Sequence, residues 1–420
     1  MSTTAIPKLK ILISGSSIAG PTTAFFLSRL GHSITLLERS PSLRTGGQAI
    51  DIRTFGVSVL RRIPGLEAAV RAHSTREEGV SFMRQDGTPW GTIRATGNAE
   101  RQGIVSEFEI LRGEFARLLV GLSEGQDGVE YVFGERIVAI AQREESVKVE
   151  FAYGKKAEDY DLVIACDGAL SRTRGMGMEC GAREHVVATD SWTVYFSSQR
   201  DILEGSRNGQ GYSAPGGRFV SIGSDSSGVN RVMLQCVNSP TSTRAFCEAA
   251  AKGEEGVKAF VVQQFSGAGW RTDLLLQEML AAKDFYASEI VQVKIPTLSK
   301  GRFVLVGDAG YAAGPTGGGT SLALAGGYLL AGEIGKHPGD LAAGLREYEG
   351  KMRPLIEEMQ KIPPLVSSIM APQTAWGIWI RNRLFALVAW SGLAEVAQKY
   401  LGAAFADSSE FPVPDYDWRE

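Results

Sequence analysis

Gly307-Asp308-Ala309-Gly310-Tyr311, followed by Gly314-Pro315-Thr316-Gly317-Gly318-Gly319-Thr320, lies between the apolar run Phe303-Val304-Leu305-Val306 and an apolar helical stretch from Leu322 to Ile334. An unbroken apolar run reads as a strand buried on both faces, the habit of parallel sheets. A glycine-rich turn that leads from such a strand into a helix offers backbone amides to an anion. The segment therefore predicts an α/β layer with a nucleotide at its strand ends. Asp308 and the amides after it fall where the second half of a long nucleotide would lie. The amides of Gly317, Gly318 and Gly319 would meet a ring edge on which negative charge grows. Pro315 fixes the entry to that turn.

Working outward, the matching half stands at the N-terminus. Ile11-Leu12-Ile13-Ser14 stops at Gly15, and Gly15-x-Ser17-x-x-Gly20, with Ile18 and Ala19 inside it, opens a helix at whose start Pro21 needs no N–H donor. Gly31 ends that helix, and Ile34-Thr35-Leu36-Leu37 forms a second strand closed by Glu38. This βαβ order, with a carboxylate eighteen positions past Gly20, meets the physical needs of a dinucleotide. Glu38 suits ribose hydroxyls and disfavours a 2′-phosphate, which selects FAD. Arg39 is counted with this set, although its own pattern is that of a surface side chain. Between the halves, the buried run Asp161-Leu162-Val163-Ile164-Ala165 delivers a third turn, Asp167-Gly168.

The remaining sequence predicts a second layer. Val80-Ser81-Phe82-Met83, Asp86-Gly87, Trp90 and Ile93 read as a hairpin whose turn residues take positive φ. From about 190 to 237, short β runs (Trp192 to Phe196, Phe219 to Ile222, Val232 to Val237) alternate with Gly/Ser/Asn-rich separators. The expected organisation is a Rossmann-like FAD-binding domain from 1–75, 96–180 and 286–355. It is interrupted by an antiparallel β-sheet substrate domain from 76–95 and 181–285, and 356–420 forms a C-terminal helical segment. A chain of 420 residues supports two packed domains.

Composition removes several function classes. A net charge of -3 without a basic block gives no footprint for nucleic acid. Cys166, Cys180, Cys236 and Cys247 are far apart and form no C-x-x-C pair, and His32, His73, His185 and His337 are scattered. Neither pattern predicts a metal site or a Ser-His-Asp triad, and the thiols suit a reducing compartment. No signal peptide, lipidation motif or membrane span is expected, so the reading is a cytoplasmic monomer or homodimer.

With these motifs in order, the chain resembles the class A, single-component flavoprotein monooxygenases of the para-hydroxybenzoate hydroxylase fold. Within them it is most similar to the branch containing the tetracycline-inactivating hydroxylases. The resemblance spans roughly residues 8 to 355 and rests on Gly15-x-Ser17-x-x-Gly20 with Glu38, Asp167-Gly168-x-x-Ser171-x-x-Arg174, and Gly307-Asp308 with Pro315-x-Gly317-x-Gly319. It implies that Glu38 holds the adenosine ribose, Asp308 the ribityl or pyrophosphate region, and Gly317 to Thr320 the isoalloxazine. It implies that Asp167-Gly168 serves FAD and NADPH together, and that Arg112 contacts the flavin linker. It places Gly47-Gln48-Ala49-Ile50-Asp51-Ile52, and with it Arg53, beside the ring. Tyr311 stands where relatives carry a histidine, and Ser17 where they carry the middle glycine.

The implied activity is NADPH-dependent reduction of FAD, addition of O2 at flavin C4a, and transfer of one oxygen to an aromatic, polyketide or alkaloid-like small molecule. The cofactor carries the chemistry, so no catalytic side chain is assigned. Trp192, Tyr195, Phe196, Tyr212, Phe219 and Tyr286 are the candidate walls of an apolar pocket between the β-rich layer and the flavin, each with core packing as the competing reading. Two further functions stand beside this one: a flavoenzyme of the same fold that dehydrogenates, rearranges or cyclises its substrate, and a flavin-binding scaffold without turnover. Oxygen stoichiometry separates the first two, and failure of any nicotinamide to reduce the flavin would mark the third.

Overall fold

The computed structural model describes residues 7–44, 46–75, 77–94, 106, 108–362, 371–390 and 413–418. Its first layer is a six-stranded sheet. Val129–Phe133, Ser33–Glu38, Lys10–Ser14, Leu162–Ala165 and Phe303–Leu305 run parallel, and Ser299–Lys300 adds an antiparallel edge. Leu162, Val163, Ile164 and Ala165 are fully buried, as expected of a strand with helices on both faces. Helix Gly319–Lys336 packs on Ala19–Ser28, Phe55–Arg62 and Leu341–Met359 and closes the first hydrophobic core. Within the expected C-terminal helical segment 356–420, Ala375–Trp390 is helical and 413–418 is a strap instead: Tyr416 and Trp418 pack against Tyr328, and Trp418 against Phe26.

The second layer is a seven-stranded sheet in the order Tyr286–Val293, Val186–Ser198, Asn230–Cys236, Arg218–Ser224, Asn208–Ala214, Gly79–Met83 and Pro89–Arg94. All its pairings are antiparallel except that of Asn208–Ala214 with Gly79–Met83. Helices Pro240–Ala250, Glu254–Phe265 and Thr272–Ala281 cover one face and form a second core with it. Because Tyr286–Val293 pairs along Val186–Ser198, this segment belongs to the second sheet, and the expected start of the last FAD-domain piece at 286 is corrected to the end of that strand.

Two further elements depart from expectation. Asn208–Ala214 lies in a stretch read as a separator because of its glycines. Gly209 is small there for a packing reason, since a Cβ on it would meet Glu77 Oε2 at 2.8 Å. In the Asp86-Gly87 turn only Gly87 takes positive φ, at 85°, so the hairpin uses a longer loop with a single left-handed residue. Small sheets complete the fold: Ile137–Gln142, Val147–Phe151 and Glu158–Tyr160, and the pair Ala49–Asp51 with Glu109–Leu111. Helix Ala375–Trp390 lies across the open face of the second sheet, where Phe385 packs edge-on against Phe82 at 4.8 Å and Arg381 donates to Ser213 Oγ at 3.0 Å.

Candidate functional site

The three glycine turns meet at the carboxyl ends of the parallel strands, the end at which open α/β sheets take ligands. Gly15, at φ 109°, lies so close to the third strand that a Cβ would stand 2.5 Å from Cys166 O, beside Asp167. A Cβ on Gly20 would stand 1.9 Å from Gly15 O, which seats the helix on its strand. Gly307, at φ 68°, would place a Cβ 2.8 Å from Ala19 Cβ, so the Gly-Asp turn touches the first motif. Ser17 takes the middle position without positive φ, half-buried in the turn. Ile18 and Ala19 are buried behind it.

Glu38 holds this turn together in addition to ending its strand. It accepts from Ser16 N at 3.2 Å, Ser16 Oγ at 2.9 Å and Ser40 N at 2.9 Å. Arg39 next to it points into solvent. Asp167 places its carboxylate on its own segment. It accepts from Ser171 Oγ and from Thr173 Oγ1 at 2.9 Å, while Ser171 Oγ caps helix Arg172–Met178 by accepting from Arg174 N at 2.8 Å. Within the Asp167-Gly168 segment, the carboxylate is thus engaged as a local brace. The open element here is Gly168, at φ 90° with clear space on its Cβ side.

Arg174 is the residue whose role the sequence did not disclose. It is fully buried and donates to Ala169 O at 3.0 Å, Ala309 O at 2.7 Å and Ala182 O at 2.7 Å, which ties the second motif to the third. Its only signal was its spacing from Asp167. Tyr311, which stands where relatives carry a histidine, serves packing. It is buried under helix Gly319–Lys336 and shares a 3.0 Å hydrogen bond with Tyr348, which donates to Leu305 O at 2.9 Å. Burial pushes both phenols up, so they remain protonated.

Asp308 is exposed beside these turns, yet the protein around its carboxylate raises its pKa, and the Arg112 guanidinium opposes the shift. Arg112 begins helix Arg112–Glu124, and its N–H donates to Gln48 O at 2.9 Å. Burial raises the Tyr195 hydroxyl and the same guanidinium opposes the shift, so Arg112 acts on both Asp308 and the second sheet. Gln48 Oε1 is buried without a hydrogen-bond partner, and Ala49 follows it at the sheet edge. Arg53 is held to helix Gly319–Lys336: Ser321 Oγ accepts from Arg53 N at 3.1 Å and donates to Arg53 O at 2.9 Å. Gln48 to Arg53 therefore runs alongside Gly319 and Thr320, with exposed Pro315 and Gly317 at the rim and Gly318 packed on Met359. A glycine cradle, a cation, an exposed acid and an orphaned amide oxygen together fit a dinucleotide that carries a polar ring, as FAD does.

Strand alternation sorts the aromatic candidates. Tyr195, Tyr286 and Phe219 lie on the open face, with the Tyr195 and Tyr286 rings stacked at 6.4 Å. Trp192, Phe196 and Tyr212 lie on the opposite face in the second core, where Trp192 stacks on Phe246 at 5.1 Å. These three are corrected from pocket to core, because residues two apart on a strand share a face. The open face also carries Arg231, which reaches Asp284 at 3.1 Å and Asp225 at 2.7 Å. Nearby, Glu77, Glu109 and Asp51 crowd together. Burial, with the charge of Asp51 added, raises Glu109 to about 8 and Glu77 to about 7.

The sequence pattern of an FAD binding domain matches residues 8–359. The FAD-dependent monooxygenase asL4 of Sarocladium schorii is 31% identical over 416 residues, covering 91% of this chain and 93% of its own. Among solved structures, the tetracycline destructase Tet(51) superposes with a TM-score of 0.78 at 26% identity, covering 98% of this chain and 100% of its own. Klebsiella pneumoniae HpxO complexed with FAD and uric acid shares the fold, with a TM-score of 0.70 at 19% identity over 94% of this chain and 97% of its own.

Proposed function

The chain belongs to the FAD-binding-domain family of flavin-dependent monooxygenases, and from that premise we propose that it uses NADPH and O2 to hydroxylate or epoxidise an aromatic, polyketide or alkaloid-like small molecule. The observation that carries this reading is Arg112. Its charge acts both on Asp308 in the cradle and on Tyr195 on the open sheet face, so both lie within electrostatic reach of one guanidinium. FAD, when bound, supplies the electron transfer and oxygen chemistry.

The chain's own residues bind, orient and exclude water. The Gly15 to Gly20 turn, held by Glu38, offers amides to the pyrophosphate. Asp308 and Arg112 bracket the linker, and the Gly317 to Thr320 amides face the ring edge. Tyr195, Tyr286 and Phe219 form apolar and phenolic walls suited to a flat, ring-bearing substrate, a class consistent with the tetracycline named for the Tet(51) neighbour. Helix Ala375–Trp390 lies over the Asn208–Ala214 and Pro89–Arg94 end of the same face. Arg381 within it, whose pKa burial pulls down to about 10, retains a positive charge at neutral pH toward phenolate or carboxylate groups. The nicotinamide approaches along the Asp167-Gly168 segment, where the open Gly168 backbone, rather than the engaged carboxylate, makes the contact.

The test uses FAD-loaded protein with NADPH or NADH and a panel of phenolic and polycyclic compounds. The expected result is ligand-stimulated NADPH oxidation, one O2 consumed per product and a product heavier by one oxygen atom. Turnover without O2 consumption would overturn the oxygenase reading in favour of a dehydrogenation or cyclisation on the same scaffold.

A further inference from the structure

The chain passes from the parallel sheet to the seven-stranded sheet through a short loop between helix Arg172–Met178 and strand Val186–Ser198. In that loop Cys180 Sγ, a carboxylate oxygen of Glu184 and a ring nitrogen of His185 lie within 4.8 Å of one another. The backbone beneath them is held: Cys180 N donates to Gly175 O at 3.0 Å, Glu184 N to Gly181 O at 3.0 Å, and Lys294 N to His185 O at 2.9 Å. Gly181 N donates to Glu184 Oε2 at 2.9 Å, which aims that carboxylate across the loop. Arg174 grips the same loop through Ala182 O and reaches Ala309, next to Asp308.

A thiolate, an imidazole and a carboxylate make a donor set suited to Zn²⁺, and the sulfur disfavours Mg²⁺ and Ca²⁺. Bonds of about 2.0 to 2.3 Å in a tetrahedral site place donors roughly 3.3 to 3.7 Å apart. Closing the present arrangement requires side-chain rotations that bring the donors about 1 Å closer, on a backbone that is already fixed. We propose that Cys180, Glu184 and His185 bind one Zn²⁺ ion at the crossing between the two sheets, with water as the fourth ligand. Cys180 enters as the thiolate and releases its proton to solvent. The ion clamps the loop that Arg174 links to the Gly-Asp turn, and so fixes the substrate sheet relative to the cradle. This site is separate from the flavin chemistry and does not depend on it.

Tag-free, FAD-loaded protein is stripped with a chelator and dialysed against Zn²⁺ or Co²⁺. One Zn²⁺ per chain is expected, and Co²⁺ should show a thiolate-to-metal charge-transfer band. Cys180→Ser should abolish the band, and both it and His185→Ala should weaken Zn²⁺ binding at least about tenfold. Cys247→Ser should change neither. FAD content and circular dichroism matching the parent confirm that each variant folds. If a variant does not fold, protection of Cys180 by Zn²⁺ against a thiol reagent in the unsubstituted protein, read by peptide mass, replaces it. No retained ion, equal retention by Cys180→Ser and His185→Ala, loss in Cys247→Ser instead, or absence of thiol protection would each overturn the site.

Discussion

Buried Arg174 and the aromatic side chains of the second sheet show what single residues contribute. Arg174 satisfies three backbone carbonyls from three segments. Arg174→Ala leaves the buried Ala309 O unpaired and gives the more accessible Ala169 and Ala182 carbonyls to water, a loss on the order of 2 kcal/mol, and denaturant titration should show it together with weakened FAD retention. The aromatic candidates divide by face. Phe219→Ala should raise KM severalfold with FAD affinity and stability little changed. Trp192→Ala should instead cost about 3 to 5 kcal/mol of stability by opening a core cavity, with KM unchanged in the folded fraction. Steady-state kinetics and urea unfolding on both variants separate the roles. The glycine and acid positions were legible in the sequence because a close approach or a left-handed φ demands glycine wherever it occurs. The face of each aromatic was not, since alternation separates Trp192 from Tyr195 without saying which side meets the cleft. Arg174 was hidden for a similar reason: its partners are backbone oxygens, one of them 135 residues away at Ala309, and these leave no mark on composition.

At the scale of elements, the parallel strands and their helices were readable because each is a continuous apolar run closed by a turn. Asn208–Ala214 was not readable, because its glycines serve inter-layer contact and mimic a loop. That contact brings Glu77 beneath the sheet, close to Glu109 and Asp51. Glu109 carries a pKa of about 8 in the fold against an ordinary 4.5. The native state therefore holds a proton that the unfolded chain has already released. Its stabilising contribution is complete below about pH 4.5 and is lost as pH rises through about 8. Melting temperature should fall across that window, and Glu109→Gln should flatten the fall and raise the melting temperature at its upper end. A parallel slope in the variant would place the pH dependence elsewhere.

Taken as a whole, the molecule has two hydrophobic cores, and the glycine turns lie on elements of the first. FAD binding only to the native state should raise the melting temperature, by an equivalent of about 2.7 kcal/mol at a hundredfold excess over Kd. Asp308→Asn should remove most of that increment while leaving the apoprotein as stable or more so, because it deletes an enclosed carboxyl. Thermal scans with and without FAD check both halves of this expectation. The strand order carries a last consequence for biosynthesis. Leu162–Ala165 finds its neighbour Phe303–Leu305 only after the whole second sheet has been translated. Until then the nascent polypeptide exposes an unpaired edge on its half-built floor, and the Gly307-Asp308 turn that meets the N-terminal glycine motif has not yet left the ribosome.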